Sequence, residues 1–239
     1  MSELRVADLA ANNAAWCAAV CAAHGGRSER AESHWLSRTP MPPLYPNLVT
    51  LTPAAAPTLG AVRALRASLP ASSWAVKDSY RRLALEPLGF RRLFDAEWLL
   101  RPASLAPPQA PSSGARWRSI RTEPALAAWE ARWGESAGGA RVFLPALLEA
   151  PEIAILAAFD GDELLSGVIA NRHERTVGVT NFFAHGASGE TLRGEGIRAA
   201  MDVFPGLAVV GYASGLELAA LRALGFERAG PLRIWAHGT

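Results

Sequence analysis

Apolar positions along this chain repeat with two periods. In "NNAAWCAAVCAAH", Trp16, Cys17, Val20 and Cys21 share one face of a helix that runs out at Gly25-Gly26. "PNLVTL" reads as a short apolar strand, and "WRSIRT" (Trp117–Thr122) as another. "EPALAAWEARWGE" opens on an acid and a proline, which suit a helix start, and stops at Gly134. A second helical stretch is expected at "RVFLPALLEA". The segment "EIAILAAFDGDELLSGVIANRHERTVGVTNFFAHG" then holds three apolar runs, split at Asp160-Gly161 and around Arg172–Arg175. It predicts a three-stranded antiparallel meander with a tight Asp-Gly turn.

Two later stretches repeat one pattern. "GAVRALRASLPASSWAVKDSYRRLALEPLGFRRLFDAEWLLR" and "GIRAAMDVFPGLAVVGYASGLELAALRALGFERAGPLRIWAH" each read as a helix ending at a proline (Pro70, Pro205), then a short strand. A second helix follows, stopping at Leu-Gly-Phe (Leu88-Gly89-Phe90, Leu224-Gly225-Phe226), and a final strand carries Trp98 or Trp235. Gly89 and Gly225 suit the left-handed position past a helix end, with each phenylalanine folding back as an apolar clamp. "PASLAPPQAPSSGA" (Pro102–Ala115) has no charge and reads as a linker. The expected organisation is a first half over 1–101, a linker over 102–115 and a second half over 116–239. The first half has room for one strand before its helix and lacks a full meander, so it looks like a worn copy. A strand–helix–strand passage after a meander implies a right-handed crossover and a mixed α/β (α+β) sheet.

Composition narrows the function classes. Half of the 239 residues are hydrophobic and the net charge is +2, ordinary for a soluble globular protein. Lys77 is the only lysine among 24 basic residues, and no basic run stands out, so nucleic acid is not an expected partner. The opening has acids and asparagines where a signal peptide needs a basic start. Met41–Val62 contains five prolines and Asn47, so it is not a membrane span. Cys17 and Cys21, four apart on one helix face, read as core thiols in a reducing, cytoplasmic setting.

The element order of the second half resembles the GCN5-related N-acetyltransferase (GNAT) fold, and the first half a degenerate copy of it. "RALGFERAGPLRIW" looks like that family's closing helix and last strands. "RGEGI" (Arg193, Gly194, Glu195, Gly196, Ile197) looks like its Arg/Gln-x-x-Gly-x-Gly/Ala coenzyme loop, departing where Arg198 replaces a small residue. The resemblance implies acetyl-CoA as co-substrate, held between two splayed parallel strands, "TNFFA" (Thr180–Ala184) and "LAVVGY" (Leu207–Tyr212). The pyrophosphate would lie at the start of the intervening helix, where N–H groups are free and the helix dipole is positive. Matched to the first copy, that helix starts near Leu192 or Arg193, with Gly194 and Glu195 in its first turn. The carboxylate of Glu195 would then stand in the phosphate's path.

Backbone N–H groups near Phe182, Phe183 and Ala184 would polarise the thioester carbonyl. The position where the family often places a tyrosine acid is Leu221, which carries no proton. Tyr212 and His185 are the substitutes, and Asn181 and Glu97 the candidate substrate contacts; each also has a bland structural explanation. Asp95 and Glu97 share one strand face. Asp78 or Ser79 is expected to cap a helix. No metal-ligand spacing is present. The expected partner is a small-molecule or peptide amine, with a homodimer allowed and no membrane. The competing readings are a non-catalytic module that binds CoA or another small ligand, and a purely structural interaction protein.

Overall fold

The computed structural model describes residues 4–69, 74–109, 112–134, 141–185 and 189–238. It is a mixed α/β fold with these elements: α1 (Val6–Ala23), β1 (Ser28–Arg30), β2 (His34–Ser37), β3 (Leu48–Thr50), α2 (Ala55–Ser68), β4 (Trp74–Asp78), β5 (Arg91–Arg101), β6 (Arg116–Ser119), α3 (Glu123–Trp133), β7 (Ile153–Asp160), β8 (Glu163–His173), β9 (Thr176–Ala184), α4 (Gly189–Val203), β10 (Ala208–Ala213), α5 (Glu217–Ala223) and β11 (Glu227–His237). Two compact units form, each discontinuous in sequence. One holds Met1–Leu99, Tyr212–Gly215 and Arg228–Thr239; the other holds Leu100–Gly211 and Leu216–Glu227.

In the first unit the strand order is β1-β2-β3-β4-β11-β5. β1, β2 and β3 pair antiparallel in sequence order. The half expected to hold one strand here therefore has a short meander. Its strands are three or four residues long and β1 is wholly polar and exposed, so neither alternation nor an apolar run marks them. α2 carries the chain from β3 to the parallel β4, and β11 pairs antiparallel with β4. Val62 and Leu65 of α2 pack with Leu48, Val76, Leu85, Phe90 and Trp235 in one core cluster. α1 has the length and hydropathy of a membrane span, but half of it is buried inside the protein. Trp16 and Cys17 lie in its buried face, and Trp16 Nε1 donates to the Tyr45 hydroxyl at 3.1 Å.

The second helix expected in this half does not form. After β4 the chain turns, with Arg81 left-handed at φ 52°, and reaches only a 3-10 turn at Glu86–Leu88. The cause is Asp78, whose side chain accepts the N–H groups of Tyr80, Arg82 and Leu83 at 3.4, 3.1 and 2.9 Å. A short acceptor that captures nearby N–H groups offers the backbone an alternative to helix. Asn47 Nδ2 donates to Thr39 O at 3.0 Å, tying a strand edge as its polar position implies.

In the second unit the order is β10-β9-β8-β7-β6. β6 to β9 form the expected antiparallel meander, and Gly161 supplies the positive φ of the β7–β8 turn. β10 returns parallel to β9 through α4. Trp129 of α3 is fully buried and donates Nε1–H to Leu156 O at 3.0 Å. The "RVFLPALLEA" stretch forms a 3-10 helix over Pro145–Glu149 only. The chain before it is pinned by buried Glu130, which accepts the backbone N–H groups of Val142 and Phe143 and the Arg141 guanidinium.

The Leu-Gly-Phe stops repeat in detail. Gly89 and Gly225 have φ of 82° and 85°. Gly89 N–H donates to Glu86 O and Gly225 N–H to Arg222 O, both at 2.9 Å; Phe90 N–H reaches Leu85 O at 3.2 Å and Phe226 N–H reaches Leu221 O at 3.1 Å. These are the paired bonds that close a helix or 3-10 turn on a left-handed residue, and both phenylalanines are buried.

Candidate functional site

Among the described residues of the second unit, the parallel strands β9 and β10 carry a built-in opening. The β9–β10 ladder has register pairs Ala208–Thr176, Val209–Val177 and Val210–Gly178 and stops there, while β9 runs on to Ala184. On its other edge, β9 stays paired with β8 to Ser166–Ala184, through a shift in which Asn181 and Phe182 face Val168 alone. Two residues opposite one is a β-bulge, and Asn181 takes a left-handed backbone within it (φ 54°), as in the bulge type whose first residue is left-handed. The bulge bends β9 and re-aims Phe182, Phe183 and Ala184. Asn is among the few non-glycine residues that tolerate this conformation.

Those three residues line a cavity of about 380 Å³, together with Gly189, Glu190 and Arg193 of α4 and Leu216, Glu217 and Ala220 at α5. Arg193 is the cation of the cavity wall. Its guanidinium carbon lies 4.2 Å from the Phe182 ring centroid, and Nη2 lies 3.1 Å from Glu217 Oε1. Leu216, almost wholly exposed, stands on the rim.

The first unit has the same parallel arrangement in β3 and β4, but there the strands are bridged. Their ladder pairs Leu48–Val76 and Val49–Lys77. Beyond it, Ser79 N–H donates to Thr50 Oγ1 at 2.7 Å and the Tyr80 hydroxyl donates to Leu51 O at 2.9 Å. Side chains fill the hydrogen-bonding groups that a ligand would need.

Helix α4 begins at Gly189, a turn earlier than the expected start at Leu192 or Arg193. "RGEGI" is therefore helix interior, and its N–H groups belong to the helix ladder. At the start of a helix the N–H groups of the first turn have no helical partners. The stretch Gly186–Ser188 lies outside the described residues. Glu195 does not face the cavity either. It is buried, and accepts Ser113 N–H at 2.8 Å, Ser113 Oγ–H at 2.6 Å and Trp117 Nε1–H at 3.2 Å. Burial alone would raise its pKa, but those three bonds and the charge of Arg198 outweigh it and hold it below the usual glutamate range. Gly196 serves the same contact: a Cβ there would lie 2.8 Å from Trp117 Cη2. Gly194 and Ile197 are buried in α4, and Arg198 is half-buried two turns from the helix start.

The remaining expected residues scatter. His185 Nε2 meets Arg132 O at 3.3 Å and its ring packs on Phe183; it is not among the residues that line the cavity. Tyr212 belongs to the first unit, its ring edge-on to Trp98 and under Lys77. Asp95 is clasped by Arg233 at 2.7 and 3.0 Å, and the hydrogen bonds and charge of that arginine lower its pKa. Glu97 pairs with Arg228 at 3.2 Å. Leu221 is 8% exposed, on the buried side of α5. Among the described residues no cluster of His, Cys, Asp or Glu is arranged to hold a metal. Sequence reasoning missed Gly189, Glu190 and Glu217; the short serine- and glycine-rich run before Glu190 was the available signal.

No family model matches the chain, and no curated protein sequence does. Solved structures match it widely at low identity. A GCN5-related N-acetyltransferase from Kribbella flavida aligns over 95% of both chains with 14% identity and a TM-score of 0.65. A GCN5-related N-acetyltransferase from Sphaerobacter thermophilus aligns over 79% of this chain and 70% of its own, with 13% identity and a TM-score of 0.54. A functionally unknown conserved protein from Staphylococcus epidermidis ATCC 12228 aligns over 90% and 94%, with 12% identity and a TM-score of 0.54. The chain has the fold of the GCN5-related N-acetyltransferases.

Proposed function

We propose, from the premise of that fold, that the second unit binds acetyl-CoA and transfers its acetyl group to the nitrogen of a small-molecule or peptide amine. The observation that carries this reading is the β9–β10 ladder ending at Val210–Gly178 beside a bulge and a cavity. A strand edge with unspent N–H and C=O groups accepts an extended, amide-bearing chain as a sheet accepts another strand. The pantetheine arm of CoA is such a chain. The first turn of α4 supplies N–H groups and positive potential for the phosphates, and Arg193 supplies a forked donor once Glu217 releases it.

In the transfer, the amine nitrogen attacks the thioester carbonyl, the C–N bond forms, the C–S bond breaks, and the proton lost by nitrogen goes to the leaving thiolate. N–H groups of Phe182 and Phe183 at the bulge would hold the carbonyl oxygen as it gains charge. Phe182 and Phe183 also keep water from the reacting carbon. Tyr212 and His185 are given no proton to carry in this reading, because neither lines the cavity. Two buried, free cysteines, with burial raising the Cys17 thiol to about 11, fit a cytoplasmic protein.

A non-catalytic CoA-binding module is the second reading, and buried Leu221 in place of a proton donor favours it. Thermal-shift titration with acetyl-CoA and CoA tests the shared premise, since a ligand of the native state raises the melting point by mass action. No shift at millimolar coenzyme rejects both readings. A shift with thiol release across an amine panel supports transfer; a shift without release selects the module.

A further inference from the structure

We infer that the first unit carries a binding site for a small organic carboxylate, built from Lys77, Trp98, Asn13 and Tyr212. This inference does not depend on the coenzyme reading.

Lys77, the chain's sole lysine, is 7% exposed on β4. Its Nζ donates to Asn13 Oδ1 at 3.0 Å and sits 4.5 Å from the Tyr212 ring centroid. An ammonium has three N–H donors, and one is used here. Among the described residues no carboxylate lies within ion-pair distance of it. The acid beside it in sequence, Asp78, is committed to the turn that follows β4, and Asp95 of β5 to Arg233. A buried cation is normally held by an anion as well as by hydrogen bonds.

A second donor stands unspent at the same ring. Trp98 is 1% exposed, and its Nε1–H, itself buried, has no acceptor. Its ring meets Tyr212 edge-on, with centroids 5.6 Å apart. Buried indole N–H groups are normally paired. Trp35 and Trp235 Nε1 also have no acceptor, and Trp98 differs in packing on the same Tyr212 ring as the Lys77 ammonium, where an acceptor supplied from outside would meet both. Asn13 Oδ1, the acceptor that Lys77 Nζ uses, is already shared with the Cys17 thiol at 3.8 Å. The cluster has donors to spare, one positive charge and aromatic walls. Those features select a singly charged, planar acceptor with an apolar body, which is a carboxylate and not a phosphate.

The full chain, with isotope-labelled lysine side chains and tryptophan indoles, gives one lysine signal to follow, because Lys77 is unique. The probes are butyrate and phenylacetate, set against butyramide and sodium chloride at matched ionic strength. We expect saturable shifts of the Lys77 signal and of the Trp98 indole, assigned by its loss in Trp98→Phe, with the carboxylates only. Lys77→Met should weaken binding by about tenfold or more, and Trp98→Phe by about fivefold, as the loss of a charged and a neutral hydrogen bond implies. If Lys77→Met does not fold, the wild-type lysine signal and Trp98→Phe still decide. Absence of saturation at high millimolar carboxylate overturns the site, as does an equal response to chloride, which would mark an adventitious ion only.

Discussion

Val210 and Gly178 are the last register pair of the parallel ladder between β10 and β9, and Asn181, three residues further along β9, turns left-handed. The opening and the bend are thus adjacent features of one strand. In the first unit, Thr50 and Tyr80 bridge the comparable place with a bond to Ser79 N–H and a bond to Leu51 O. One crossover is left open and the other is closed.

Arg193 is held by Glu217 in a partly exposed pair, so a phosphate must displace that carboxylate. Glu217→Gln should raise CoA affinity by about two- to fivefold, the worth of a surface ion pair. Arg193→Ala should lower it by about tenfold or more. Calorimetric titration at fixed salt reads both. A Glu217→Gln variant that binds more weakly would show that this carboxylate helps the ligand.

Gly196 lies inside a helix, where alanine normally adds about 1 kcal/mol of stability. Here the added Cβ would sit 2.8 Å from Trp117 Cη2. Overpacking of this kind costs about 1–3 kcal/mol, so Gly196→Ala should lower the melting temperature. A stabilised variant would show that Trp117 moves freely.

Glu195 has a folded-state pKa below its ordinary value of 4.5. Its contribution to stability is therefore full above the unfolded pKa and is lost as pH falls through the lower, folded one. Glu195→Gln should destabilise the protein by roughly 1–3 kcal/mol at neutral pH. That difference should shrink steadily in acid. Denaturant melts from pH 7 to pH 3 check it; a constant difference across that range would contradict the hydrogen-bonded carboxylate.

Gly89 and Gly225 both sit at φ above 80°. Alanine at each should destabilise by about 1–2 kcal/mol, with the larger loss at Gly225, where Leu105 Cδ1 stands 3.3 Å from the added carbon. Equal or absent effects in thermal melts would contradict the strain account.

The features legible in the sequence are those that short segments decide. The Asp160-Gly161 turn, the Leu-Gly-Phe stops and the apolar runs of β7 to β9 each rest on local geometry, and each formed. Long-range partners were not legible. Glu195 looks like a phosphate-side acid until Ser113, far back in the linker, and Trp117 are brought against it. Asp78 looks like a helix cap, yet its three backbone bonds make a loop. β1 is too polar and β2 too short to announce themselves, and Asn181 reads as a polar strand residue until its φ is known. Of the expected cavity residues, Phe182, Phe183, Ala184 and Arg193 are brought together, because they flank the crossover from β9 to β10.

Coenzyme binding requires the space past Val210 and Gly178 to receive an extended chain. A crystal structure of the protein grown with CoA measures this directly. The predicted result is the pantetheine arm running along β9 from Val179 towards Ala184, with phosphates at the first turn of α4 and Arg193 swung away from Glu217. Crystals grown in saturating CoA that show β9 and β10 paired through this region, or the coenzyme bound on another surface, would contradict it.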